Sequence, residues 1–221
     1  MSRLLDALLT TDPVHRARLA QAGVALLLLA VGVLGMLYFV AVGVVQAAPV
    51  LSWSLLTLAG MLVFFGLIRS GWSRRFRDPT LTVAQMVYAL TSGAVGYALL
   101  GAGRGAVFPV VMVVLMLGLF VVTPRQMRLV SAYAVLLFGA TMAVMAARRP
   151  QDYPWTVELG HFLLVAVMMP AVSVLAGRLS HIRQRSRQQR AELAHALSSL
   201  REHTTRDELT GLVNRRYMNA V

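Results

Sequence analysis

The sequence predicts an all-α membrane protein: a six-transmembrane-helix bundle whose last span continues into a cytoplasmic coiled-coil signalling helix. Composition is the first observation behind this. Of 221 residues, 57% are hydrophobic and 14% charged, where soluble domains carry about 25% charged residues. The second is where the charges are missing. Fifty residues between Arg18 and Arg69 carry none, and further charge-free runs occupy 79–103, 105–124, 129–147 and 159–177. The third is that the arginines are sided, as shown below. Disorder is excluded by the apolar content. The absence of cysteine excludes disulfides, thiolate metal sites and cysteine nucleophiles.

A cytoplasmic segment over 1–18 opens the chain. A helix needs about 20 apolar residues to cross a ~30 Å hydrocarbon core, so each shorter run fits one crossing. The fifty-residue run fits two, broken near Gln46-Ala47-Ala48-Pro49. Spans are therefore expected near 19–45, 50–68, 81–101, 106–123, 129–147 and 158–177, forming a six-span transmembrane domain over 19–177. The runs lack period-2 alternation, which disfavours barrel strands. Val45-Gln46-Ala47 imitates a signal-peptidase site, but the apolar stretch before it is far longer than the 7–15 residues of a signal core.

Orientation follows from the positive-inside rule. With the N-terminus inside, 18 of the 21 arginines fall on that side, and only Arg104, Arg148 and Arg149 lie opposite. Both termini are then cytoplasmic. The net charge of +12, which on a soluble chain would suggest nucleic acid, becomes a topological label. No nucleic-acid partner is expected; the partner is a bilayer with an anionic inner leaflet. Trp53, Trp72 and Trp155 fall at span ends, where an aromatic belt would sit.

Few polar groups lie within the spans. Glu158 and His161 are three residues apart at the start of the sixth, on one helix face. Intramembrane ionisable groups point to a functional site, here a ligand-sensing pair. The plainer alternative leaves Glu158 at the outer interface near Arg148 and Arg149, with His161 bonding a neighbouring helix. A metal would need three or four ligands, which the spans do not supply. Pro170 removes one backbone hydrogen bond mid-span, giving either a packed kink or a hinge. Gly101-Ala102-Gly103-Arg104-Gly105 is read as a tight outer turn, because no strand precedes it.

From Arg178 to Thr210 no proline or glycine interrupts the chain, so the sixth span should continue as one signalling helix over 178–204. Its arginine-rich root suits an anionic leaflet. Two heptad registers are legible. One seam takes Leu179, Ile182, Ser186, Gln189, Leu193, Ala196, Leu200 and His203; the other takes Leu193, Leu197, Leu200 and Thr204, and upstream would bury Arg183 and Arg190. A parallel homodimer with two registers of similar energy would relay a signal; an ordinary amphipathic helix is the alternative.

The most specific stretch is Asp207-Glu208-Leu209-Thr210-Gly211-Leu212-Val213-Asn214-Arg215-Arg216. It resembles the D-x-L-T-G-L-x-N-R-R opening of the GGDEF domain of bacterial diguanylate cyclases, through Asp207, Leu209, Thr210, Gly211, Leu212, Asn214, Arg215 and Arg216. On residue chemistry alone, Asp207 and Thr210 could bond a turn and Gly211 could end a helix. Many such cyclases carry multi-span sensors of the kind called MASE. The resemblance implies a bacterial inner-membrane protein whose complete form joins two GTP molecules into cyclic di-GMP with magnesium. The stub over 205–221 would be structural. No GGDEF or GGEEF loop lies within the 221 residues, so the chain by itself is expected to be inert as a cyclase, with no catalytic residue and no cofactor of its own. It is read as a truncation or as the ordered part of a longer protein. A small six-span transporter and a ligand-free membrane anchoring module are the competing readings.

Overall fold

A computed structural model describes residues 12–205 except Arg77 and Phe120, with side chains given for 12 and 15–196. Asp207 to Arg216 therefore lie outside the described residues, as do the side chains of Leu197 and Leu200. Among the described residues six α-helices follow one another: α1 (Pro13–Ala41), α2 (Ala47–Arg69), α3 (Thr82–Leu100), α4 (Val107–Gly118), α5 (Pro124–Arg148) and α6 (Trp155–Thr205). No strand occurs among the described residues. The chain divides into two units between Ala176 and Gly177.

Within the first unit the helices run alternately up and down. Leu19 and Ala22 of α1 pack on Ile68 of α2, which sets these two antiparallel. Trp53 and Thr57 of α2 meet Ser92 of α3. Gly93 of α3 faces Val107 and Val111 of α4, while Gly118 of α4 lies over Met86 of α3. Tyr133 of α5 meets Thr91, and Ser173 of α6 meets Ser131 of α5. Helix α3 is the hub, packing against α1, α2, α4 and α5.

Helix ends follow local chemistry. Thr123 and Gln126 form a reciprocal capping box at the start of α5, with Pro124 at its first position. Before α3, both Asp78 carboxylate oxygens accept backbone N–H groups, from Thr80 at 3.0 Å and Val83 at 3.4 Å. Leu81 there adopts φ +52°, strained for a bulky residue. Its packing against the Leu19–Ile68 cluster holds it in place. Tyr88 lies where a Cβ on Gly60 would sit, and its hydroxyl donates to the Leu56 carbonyl at 2.6 Å. Gly60 thus lets α2 and α3 approach closely.

Five helical stretches are long and apolar enough to cross a membrane, one of them the 37-residue run Thr82–Gly118. That run is not one straight span. It folds back through a 3₁₀ segment, Gly101–Ala106, into α4. Helix α4 has only 12 residues, about 18 Å at 1.5 Å per residue. The expected fourth span over 106–123 is shortened at its far end: the helix begins at Val107 but stops at Gly118, whose carbonyl accepts the Val121 and Val122 N–H groups at 3.0 Å, and α5 starts at Pro124. The first helix stops at Ala41, ahead of the expected 45, where Gly43 turns the chain at φ +75°. Leu55, Leu56 and Leu136 point outward, each more than 70% exposed. A surface this apolar is suited to lipid.

Candidate functional site

The first turn of α6 carries Glu158, and the whole residue is 1% exposed. A carboxylate removed from solvent requires charged or hydrogen-bonding partners. Both oxygens have one. The Arg104 Nε–H donates to Oε1 at 2.7 Å, and the Tyr97 hydroxyl donates to Oε2 at 2.6 Å. Arg104 is itself buried at 5% exposure. Its Nη1 donates to the carbonyls of Gly101 at 2.6 Å and Asp152 at 3.2 Å. Its guanidinium also stacks 4.7 Å from the centre of the Tyr153 ring.

The Tyr97 oxygen also lies 2.7 Å from Nδ1 of His161. A phenol has one hydrogen, and Glu158 receives it, so His161 must supply the hydrogen of the second bond. The imidazole therefore carries a proton on Nδ1, and Nε2 is the acceptor of its neutral form. One chain of hydrogen bonds runs from His161 through Tyr97 to Glu158 and on to Arg104. Phe108 and Phe138 pack on the Tyr97 ring, and Phe108 also packs on His161 at 5.1 Å between centroids. This apolar wall strengthens the electrostatics it surrounds.

Tyr153, in the α5–α6 connection, closes this end of the cluster. Its hydroxyl donates to the Ala98 carbonyl at 2.8 Å and accepts from the Gly101 N–H at 3.1 Å. Burial pushes its phenol above the ordinary value, while its bond from Gly101 and the Arg104 charge pull the other way. Gly101 has φ +52°, a conformation open chiefly to glycine. The loop read as a tight outer turn is thus a 3₁₀ segment that turns Arg104 inward.

The expected neighbours of Glu158, Arg148 and Arg149, are replaced by Arg104. A guanidinium arriving from the far end of α3 neutralises the carboxylate within the bundle. Sequence reasoning singled out Glu158 and His161 and the structure brings them together, but it missed Arg104, Tyr97 and Tyr153. For Arg104 a signal existed, because it is the sole charge between Asp78 and Arg125. For Tyr97 there was none. Pro170 lies on an exposed part of α6, one turn before Ser173, whose hydroxyl donates to Ser131 at 2.8 Å. In the second unit Leu179 is half-buried, while Ile182 and Leu193 are exposed. Trp53 is half-buried, its indole N–H donating to the Ser92 carbonyl at 2.9 Å.

A cavity of about 480 Å³ between α5 and α6 reaches Glu158, with Gly139, Ala143, Trp155 and Phe162 among its walls. It is almost wholly apolar, so an occupant would be a lipid-soluble molecule. No cluster of three metal-ligating side chains occurs among the described residues. The chain matches no family model, no curated protein and no solved structure.

Proposed function

We propose that the chain is the membrane sensory and dimerisation module of a diguanylate cyclase. In this reading six spans place both termini in the cytoplasm of a bacterial cell. A ligand or membrane state alters the Arg104–Glu158–Tyr97–His161 chain, and α6 carries the change toward the catalytic domains. Two signalling helices pair as a parallel coiled coil through Leu179, Ile182, Leu193, Leu197 and Leu200. The complete protein would use magnesium and GTP to make cyclic di-GMP.

One observation carries the reading. Glu158 and His161, tied by buried bonds to α3 and the 3₁₀ segment, stand at the start of a helix that ends at Thr205. Two residues later begins the motif that resembles a GGDEF opening. Exposed Ile182 and Leu193 supply apolar surface for a helical partner. The test is cyclic di-GMP measured in cells that express this chain joined at its C-terminus to an active GGDEF domain. Tyr97→Phe and His161→Gln should change the level at unchanged protein abundance. Levels identical to wild type in both would favour the anchoring module. Cysteines at 196 and 197 should cross-link between protomers with efficiencies that change between conditions; equal efficiency under all conditions would remove the register switch.

A transporter is the second reading, favoured by the buried Arg104–Glu158 pair, since transporters place ionisable groups inside the bundle. Substrate flux in proteoliposomes that Glu158→Gln abolishes would establish it.

A further inference from the structure

Helices α1 to α4 do not close on one another completely. A cavity of about 130 Å³ remains among them, walled by Met36 and Phe39 of α1, Trp53 of α2, Leu90 of α3, and Val107 and Val111 of α4. Gly96 also lies on the wall, and a Cβ there would stand 3.3 Å from the Trp53 indole. The glycine therefore lets that ring lie against α3 and form one face of the space. Among the described residues two polar side chains reach the wall, Trp53 and Ser92, and both are engaged. The Trp53 indole N–H donates to the Ser92 carbonyl at 2.9 Å, and the Ser92 hydroxyl bonds the Thr57 hydroxyl at 2.6 Å. At most one hydroxyl hydrogen is left for a water, which needs about two to four polar partners. The space therefore suits an apolar occupant. Its opening is lateral: Val31 and Gly35, well inside α1, are wall residues exposed on the side of the bundle. In a bilayer they would face acyl chains, so entry would be from the hydrocarbon.

We propose that this cavity binds a small aromatic molecule of one ring, taken laterally from the bilayer. Size sets the limit, because a protein cavity of about 150 Å³ with similarly apolar walls holds benzene. The aromatic preference comes from Trp53 and Phe39, whose rings can meet a third ring in offset or edge-to-face contact. An acyl chain would have to leave most of its length outside. Leu100, also on the wall, precedes Gly101, which Tyr153 and Arg104 both bond. An occupant would thus sit beside the Glu158 cluster, and the sensor reading would gain a ligand class. Binding itself does not rest on that reading, since no wall residue belongs to the cluster.

The test uses the whole chain in lipid nanodiscs, with Trp72→Phe and Trp155→Phe leaving Trp53 as the only indole. Bromobenzene, a heavy-atom quencher, is the probe. Quenching of Trp53 should saturate, because the site is finite. A chain that keeps only Trp155 should show the linear response of a probe dissolved in lipid. Gly32→Leu narrows the mouth: a Cβ there would stand 3.8 Å from Val110, in ordinary contact, and leucine suits a helix better than glycine. It should weaken the saturable component about tenfold or more, with no loss of melting midpoint. Val111→Ala enlarges the space instead, and should extend saturable quenching to 1-bromonaphthalene, which the wild type should reject. Linear quenching of Trp53, or saturation that neither variant alters, would overturn the proposal. So would saturation by lipids with brominated acyl chains in place of bromobenzene, which would make the occupant a lipid tail.

Discussion

Arg104 and Glu158 are the residues on which the first unit can be tested most sharply. Each is buried and each is the other's charge partner. Removing one leaves an uncompensated buried charge, which costs about 3–5 kcal/mol, whereas replacing both by apolar groups of similar volume is often close to neutral. Arg104→Met and Glu158→Leu should each lower the thermal midpoint in detergent strongly, and the double variant should recover most of the loss. A double variant as unstable as the sum of the singles would mean the pair is not coupled. Tyr97→Phe keeps the ring packed on Phe108 and Phe138 but leaves a Glu158 oxygen short of a donor. About 1–3 kcal/mol should be lost, read in the same melts. At this scale the sequence was half legible. Glu158 and His161 share a helix face and announce themselves through polarity. Tyr97 lies 61 residues from Glu158, and no periodicity links residues that only tertiary packing brings together.

Among the elements, the α2–α3 contact is the tightest to probe. A Cβ at Gly60 would run into the Tyr88 ring, which its hydroxyl pins to Leu56. Gly60→Ala should cost about 1–3 kcal/mol through forced separation. Adding Tyr88→Leu should relieve that cost while losing the hydroxyl's bond. A single variant as stable as wild type would show that the ring moves away easily. The capping box on α5 gives a smaller effect: Thr123→Ala should cost about 1 kcal/mol, measured as helix content and melting midpoint. Among the described residues hydropathy marked the stretches that form helices, because charge-free runs count residues. It misjudged the end of α4, because counting apolar residues cannot see that the chain turns at Gly118, whose carbonyl takes the Val121 and Val122 N–H groups. The long α6 was legible for the opposite reason: from Arg178 to Thr205 nothing in the chain breaks a helix.

The molecule as a whole contains no cysteine, so any introduced one is unique. Arg75 and Gln151 are both exposed, at connections on opposite ends of the bundle. With the arginine-rich ends inside, Gln151→Cys should react with an impermeant maleimide in intact cells and Arg75→Cys only after permeabilisation. The reverse pattern would invert the topology. A cysteine at Val121, beyond α4, should behave like Arg75 if the shortened arm still completes a crossing. Labelling from outside would make α4 a re-entrant segment and move α5 and α6 to new orientations.

The central position of α3 also bears on how the chain is made. Gln21 on α1 bonds Thr82, and Trp53 and Thr57 on α2 both bond Ser92. All of these partners belong to α3. While the ribosome has delivered only the first two helices, those amide, indole and hydroxyl groups face hydrocarbon or one another. The hairpin is therefore costly to release into lipid before the third helix arrives, and the physically favoured unit of membrane insertion is three helices rather than two.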